Sequence, residues 1–95
     1  MTPELEAQRG ESARRILEDP LFREAVEVIR QDILAQWQAS PARDTQGRET
    51  LWLSTKLLDK LVMQLTGVME SGVLARATLA SRAKQAVNDR LGTHF

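Results

Sequence analysis

The sequence predicts an all-α fold, a long antiparallel helical hairpin with an N-terminal helix and a C-terminal basic helix. Two amphipathic stretches, residues 22–37 and 51–69, lie on either side of one polar break at residues 40–47. Each stretch carries apolar side chains at three- and four-residue steps, the spacing that places them on one face of a helix. Two such helices joined by a short turn bury these faces by folding back against each other.

The register of the hairpin follows from its turn. With the turn centred between Asp44 and Thr45, equal distances along the two helices bring apolar residues opposite apolar residues. The predicted pairs are Trp37 with Trp52, Ile33 with Leu57, Ile29 with Leu61, and Phe22 with Val68. The two indoles therefore meet near the turn. Core packing is the favoured interpretation of this pair, and a partner-facing anchor is the alternative.

Capping residues followed by proline mark the first helix boundaries. Thr2-Pro3 opens a first helix, predicted over Pro3–Glu18. Asp19-Pro20 repeats the same signal and opens a second helix, predicted over Pro20–Ala39. This second helix ends at Ser40-Pro41, because proline disfavours helical geometry in the residue before it.

The third helix carries the broadest apolar face, and its end is the open question. Asp44 or Thr45 can cap its start. Ser71-Gly72 is a plausible stop, which makes the alanine-rich segment that follows a separate basic helix. The alternative is that the third helix runs on to Leu91, where Gly92 serves as the end cap.

Length and composition bound the class of protein. At 95 residues, the chain is predicted to form a single helical domain, residues 1–95. It holds 13 basic and 13 acidic side chains, so no net charge favours nucleic acid or a membrane as partner. The absence of cysteine excludes disulfides and thiolate metal sites. We expect no secretion signal and no membrane span, which requires about 20 consecutive apolar residues.

Charge is distributed unevenly along the chain. Residues 1–19 hold five acids and three arginines, whereas residues 73–95 hold four basic residues and one acid. A basic C-terminal helix can contact phosphate, and each contact adds salt dependence to binding. The candidate phosphate contacts are Arg76, Arg82, Lys84 and Arg90. A solvated helix face is the favoured interpretation, so nucleic acid is a possible but not a favoured partner.

No constellation of residues predicts catalysis. The only histidine, His94, lies one residue from the end of the sequence, where a terminal side chain is poorly placed to act as a base or ligand. The serines have no histidine near them in sequence to activate them, and no glycine-rich loop follows a strand. The sequence therefore predicts a protein that is not an enzyme, with no cofactor and no metal site.

Apolar side chains on the third helix exceed what one partner helix covers. Those expected to be left over, and to contact a partner, are Leu53, Leu57, Met63 and Leu74. Gly67 costs about 1 kcal/mol of helix stability relative to alanine but permits the close approach of a neighbouring helix. We therefore expect an oligomer, or a subunit docked on a larger assembly.

The polar turn admits a structural and a functional interpretation. Arg43 and Arg48 flank Asp44, so a local ion pair is expected to hold the shape of the turn. The alternative is that both arginines bind a partner at the hairpin tip. Exposed ion pairs are common and individually weak, which favours the structural interpretation.

Three segments carry a resemblance to a known group of proteins. Residues 16–21, 42–52 and 69–75, with the helices between them, resemble small helical proteins encoded by tailed bacteriophages and prophages of proteobacteria, among head and DNA-packaging genes. The resemblance covers roughly residues 12–75 and rests on a hairpin turn and helix boundaries. It implies a structural or packaging-associated phage protein, located in the virion or the host cytoplasm, and it supplies no catalytic residue.

Three functions from different classes remain open. The first is a virion or assembly component that packs helix to helix with copies of itself or with another virion protein. The second is a DNA-associated packaging protein, such as a small terminase-like subunit, although no helix-turn-helix is recognisable. The third is a phage-encoded inhibitor or regulator that binds a host protein. Gene neighbourhood separates the first two from the third.

Overall fold

The protein is all-α, as predicted. The computed structural model describes residues 1–91 and places three helices among them, with no strand in that part of the chain. The helices are α1 (Pro3–Glu18, 16 residues), α2 (Pro20–Ala39, 20 residues) and α3 (Thr45–Leu91, 47 residues). The predicted bounds of the first two helices are confirmed. The predicted end cap, Gly92, lies outside the described residues.

Side-chain caps begin each helix. The Thr2 hydroxyl oxygen accepts a hydrogen bond from the Leu5 amide at 3.2 Å. Asp19 Oδ1 accepts from the amides of Leu21 and Phe22 at 2.9 and 3.0 Å. Asp44 Oδ1 accepts from the Gly47 amide at 3.0 Å, so Asp44 and not Thr45 caps α3. Each cap satisfies amides that the first turn of a helix leaves without a partner.

The described residues form two compact units. One contains residues 1–14 together with α3 from Thr66 onward, and the other is Arg15–Leu65. Helices α1 and α3 each contribute to both units, so the division does not correspond to two consecutive stretches of sequence. We call the unit that contains residues 1–14 and α3 from Thr66 onward the glycine unit, and the unit Arg15–Leu65 the hairpin unit.

The hairpin unit pairs α2 with the first part of α3 in antiparallel fashion. Arg30 Nη1 donates to Asp59 Oδ1 at 2.6 Å across the two helices, 29 residues apart in sequence. Ile29, Ile33, Leu57 and Leu61 line one shared groove between these helices, in agreement with the predicted register. The predicted pairing of Phe22 with Val68, whose residues belong to different units, stays a prediction.

The glycine unit is built on a backbone-to-backbone contact. A Cβ atom on Gly10 would lie 2.5 Å from the Gly72 Cα, and one on Gly72 would lie 2.6 Å from the Gly10 Cα. Ala13 and Ala75, which follow the two glycines by one helical turn, are only 3% and 4% exposed. Small side chains therefore let α1 approach α3 more closely than larger residues permit.

The structure decides two expectations about glycines in α3, one for Gly72 and one for Gly67. The helix runs without a break through Ser71-Gly72 to Leu91, so the basic C-terminal segment is the last part of α3. Gly72 serves the contact with Gly10 and does not end the helix. The expectation that Gly67 permits a close approach is wrong, because nothing lies within 4 Å of a Cβ atom placed there.

An ion-pair cluster lies beside the glycine contact. Glu11 pairs with Arg14, whose Nε donates to Glu11 Oε2 at 3.0 Å, and Arg76 Nη2 donates to the same oxygen at 3.0 Å. The hydrogen bonds from Arg14, followed by the charges of both arginines, lower the pKa of Glu11 from 4.5 to about 2, against an opposing effect of burial. The carboxylate thus links α1 to α3 over 65 positions of sequence.

Gly72→Ala is expected to lower the free energy of unfolding by about 1–3 kcal/mol, the usual cost of overpacking a close contact. The new methyl group meets the Gly10 backbone, which has no flexible side chain to move aside. Gly67→Ala is the matched control and is expected to raise stability by up to about 1 kcal/mol, because it improves helix propensity in open space. Thermal and urea unfolding measure both; equal effects of the two substitutions contradict the backbone contact.

Glu11→Gln is expected to remove a pH-dependent contribution to stability. Because the folded pKa of about 2 lies below the ordinary 4.5, the contribution is fully present above about pH 4.5 and is lost as the pH falls toward 2. The difference in free energy of unfolding between wild type and variant should therefore be constant near neutrality and shrink across that window. Glu70→Gln, at an exposed position of α3, controls for the loss of one negative charge.

Candidate interaction site

Most apolar side chains of the hairpin unit are not covered. Within that unit, Leu58 is the one buried hydrophobic residue, at 9% exposure. Two helices in contact bury one stripe each, and the flanks of both stripes remain at the surface. The exposed large hydrophobic residues of the unit include Leu21, Val28, Ile29, Leu34, Trp37, Trp52, Leu53, Leu57, Leu61 and Met63.

The tryptophan groove is a depression of about 450 Å³ between α2 and α3 near the turn. Leu34 and Trp37 from α2 line it, and so do Leu51 and Trp52 from α3. Two cationic residues, Arg30 and Lys56, also contribute to its walls. The groove therefore combines aromatic and aliphatic surface with positive charge.

A cationic side chain lies over each indole. The Arg48 guanidinium carbon is 4.4 Å from the centre of the Trp37 ring, and the Lys56 ammonium is 5.5 Å from the Trp52 ring. Arg48 Nη1 also donates to the Ser40 hydroxyl oxygen at 3.5 Å. Cation–π contacts at exposed sites contribute about 0.5–1 kcal/mol each, so they orient these side chains more than they stabilise the fold.

The favoured interpretation of the two tryptophans as core residues is wrong. Trp37 is 43% exposed and Trp52 is 56% exposed. A pair of helices covers only the side of each ring that faces the other helix, and no further segment of the hairpin unit closes over the remainder. The indoles thus keep a large accessible surface, which suits the alternative interpretation, a partner-facing anchor.

The leucine groove, of about 560 Å³, is a second depression along the hairpin. It is lined by Ile29 and Ile33 from α2 and by Leu57 and Leu61 from α3, with Lys60 also contributing to its walls. Leu57 is 70% exposed and Leu61 is 51% exposed. The two grooves share Ile33 and the buried Leu58, but they differ in chemistry, since the leucine groove has no aromatic residue in its walls.

All four predicted partner-contacting residues of α3 are exposed. Leu53, Leu57 and Met63 belong to the hairpin unit, and Leu74 belongs to the glycine unit. Of these, Leu57 lines a groove. Their role in binding stays a prediction. Ile29 and Leu61, which the predicted register places opposite each other between the two helices, are half-exposed and also line the leucine groove.

The turn is held differently from the predicted ion pair. Asp44 is engaged as the cap of α3, and Arg48 lies over Trp37. In residues 1–91, no salt bridge joins Asp44 to Arg43 or Arg48. Arg43 is exposed at the tip, where its predicted contact with a partner remains a prediction.

The candidate phosphate contacts are not equivalent. Arg76 pairs with Glu11, although its side chain is still 59% exposed. Arg82, Lys84 and Arg90 are exposed on the last part of α3. Hence Arg76 has a structural role beside the glycine contact, and the other three residues form the more accessible basic surface.

Other kinds of site find no support in the part of the chain that the structure describes. Residues 1–91 contain no cluster of three acidic or histidine side chains placed to hold a metal ion. Within the same residues, no helix is both long enough and apolar enough to cross a membrane. His94 lies outside the described residues.

Comparison with known proteins found no match, whether to a protein-family model, to a curated protein or to a solved structure. The feature of the described residues that bears on function is therefore the pair of grooves in the hairpin unit.

Trp52→Ala is expected to cost about 1–2 kcal/mol of stability, since roughly half of the ring is already in contact with solvent. Leu58→Ala is the matched comparison on the same helix. It removes a smaller but buried side chain and is expected to cost about 2–5 kcal/mol. Urea unfolding followed by circular dichroism measures both variants. A larger loss for Trp52→Ala than for Leu58→Ala contradicts the exposed placement of the indole.

Proposed function

We propose that this chain is a non-enzymatic bacteriophage protein of the virion, or of head assembly and packaging, that acts through helix–helix contacts with itself or with another virion protein. The observation that supports this most directly is the leucine groove, an uncovered apolar surface along a two-helix hairpin. Isolated hydrophobic side chains at a surface are ordinary, whereas a contiguous apolar surface marks a site of association.

The energetics favour association through this groove. Full burial of a leucine or isoleucine side chain contributes about 1.5–3 kcal/mol. Ile29, Leu57 and Leu61 are 46%, 70% and 51% exposed, so a helix that covers them recovers part of that contribution. A chain of 95 residues has a small core, and contacts of this kind add substantially to its stability.

The phage assignment comes from the sequence resemblance. Proteins of the resembling group are encoded among head and DNA-packaging genes, which is where an assembly component of this size is expected. Mass spectrometry of purified phage particles tests the assignment, with detection at a fixed copy number expected. Location of the gene in a host-takeover block, together with absence from particles, favours the inhibitor or regulator alternative.

A DNA-associated packaging role is the second candidate. It is favoured by Arg82, Lys84 and Arg90, which are all exposed on the last part of α3. If these residues contact phosphates, affinity for duplex DNA should fall steeply with salt, and each charge removed should reduce the slope by about one. Binding that is absent at low salt removes this candidate.

Leu57→Glu is expected to weaken association, because it places a charge within the apolar leucine groove. Light scattering over a range of protein concentrations measures the change as a shift from a larger species toward monomer. Leu21→Glu is the matched control: Leu21 is 72% exposed, against 70% for Leu57, and lines neither groove. A wild-type protein that stays monomeric at every concentration, and that binds no virion protein, contradicts the assembly role.

A further inference from the structure

The tryptophan groove has more positive charge around it than the leucine groove, whose walls contain Lys60 as their one cationic residue. Its walls contain two cationic residues, Arg30 and Lys56, and no acidic residue. Arg30 is neutralised by Asp59 at 2.6 Å, whereas Lys56 is directed over the Trp52 ring. Arg48, over the Trp37 ring, brings another positive charge to the same pair of indoles.

The positions of Lys56 and Arg48 suit a second role beyond contact with the rings. A cation over an exposed indole gains little, so it is free to exchange that contact for a stronger one. A carboxylate offers a charge-assisted hydrogen bond, which is about twice as strong as a neutral one. When such a carboxylate draws the cation aside, it also exposes the ring face to an apolar side chain.

We propose that the tryptophan groove binds an acidic amphipathic helix of another protein. The apolar side chains of that helix enter between Trp37 and Trp52 and contact Leu34. Its flanking carboxylates pair with Lys56 and Arg48. This is the helix-in-groove mode of recognition, in which a few apolar anchors give affinity and the flanking charges give specificity and register.

A second copy of the chain fits this groove less well. In a twofold-symmetric contact, each groove faces its own counterpart, so the Lys56 side chains of two copies approach the same surface. Like charges that meet at an interface oppose association. The leucine groove has one cationic residue, Lys60, in its walls, against Lys56 and Arg48 beside the two indoles, and it is the surface assigned above to assembly.

Intrinsic fluorescence reports on this groove alone. The sequence contains two tryptophans and no tyrosine, and both tryptophans line the groove. The probe is a synthetic helical peptide of about 18 residues, five turns, with leucine on one face and glutamate on the flanks. Two control peptides carry glutamine or lysine in place of every glutamate. We expect a saturable blue shift of emission with the acidic peptide, and weaker binding with both controls.

Charge reversal at one lysine distinguishes this groove from its neighbour. Lys56→Glu is expected to weaken binding of the acidic peptide by about tenfold or more and to reduce its salt dependence. Lys60→Glu, one turn further along α3 and on the leucine groove, is the matched control and should leave the affinity within about twofold. Both positions are exposed, and circular dichroism verifies that both variants keep the helical fold.

Three results overturn the proposal. The first is equal affinity for the acidic and the glutamine peptides, which makes the groove a purely apolar site. The second is the absence of any emission change at saturating acidic peptide. The third is a blue shift that appears without any peptide as the protein concentration rises and that is lost in Leu34→Glu. This result identifies a second copy of the chain as the occupant of the groove.

This proposal rests on the proposed function, because it names the chemistry of one partner of an assembly protein. Separate experiments test the assembly function and the occupant of the tryptophan groove. Light scattering of Leu57→Glu tests self-association or assembly through the leucine groove. Peptide titration of Lys56→Glu tests the tryptophan groove. Loss of one effect with retention of the other identifies which groove has been assigned wrongly.

Discussion

Packing within each compact unit is mainly between two helical segments, and most other features of the molecule follow from this. A contact between two helices covers one stripe on each, and it leaves the flanks accessible. Among the described residues, the buried hydrophobic ones are Ala13, Leu58 and Ala75, a small core for a chain that is 42% hydrophobic. The remaining apolar surface has to be tolerated in water or covered by another molecule.

The two units differ in how their helices pack. The glycine unit reduces the distance between backbones, since Gly10 and Gly72 leave no side chain between them. Close approach increases dispersion contacts and needs few large side chains. The hairpin unit instead packs large side chains around Leu58, which lines both of its grooves. The glycine unit is therefore held by close backbone packing, whereas the hairpin unit keeps two uncovered grooves.

The two grooves of the hairpin unit differ in chemistry, although the same pair of helices forms both. The periodicity of α3 directs Trp52 and Lys56 to one groove, and Leu57 and Leu61 to the other. The first groove has Arg30 and Lys56 beside its aromatic walls, whereas the second has Lys60 beside aliphatic walls.

Residues a few positions apart in the sequence are enough to predict the helices, their caps and the register of the hairpin near the turn. Thr2, Asp19 and Asp44 cap the helices as local hydrogen bonding requires. The continuation of α3 through Gly72 and the accessibility of the two indoles could not be predicted in this way. Gly72 contacts Gly10, which lies in a different helix far away in the sequence, and the exposure of a ring depends on what else packs beside it. Helical periodicity specifies which face a residue occupies, but not how much of that face another segment covers.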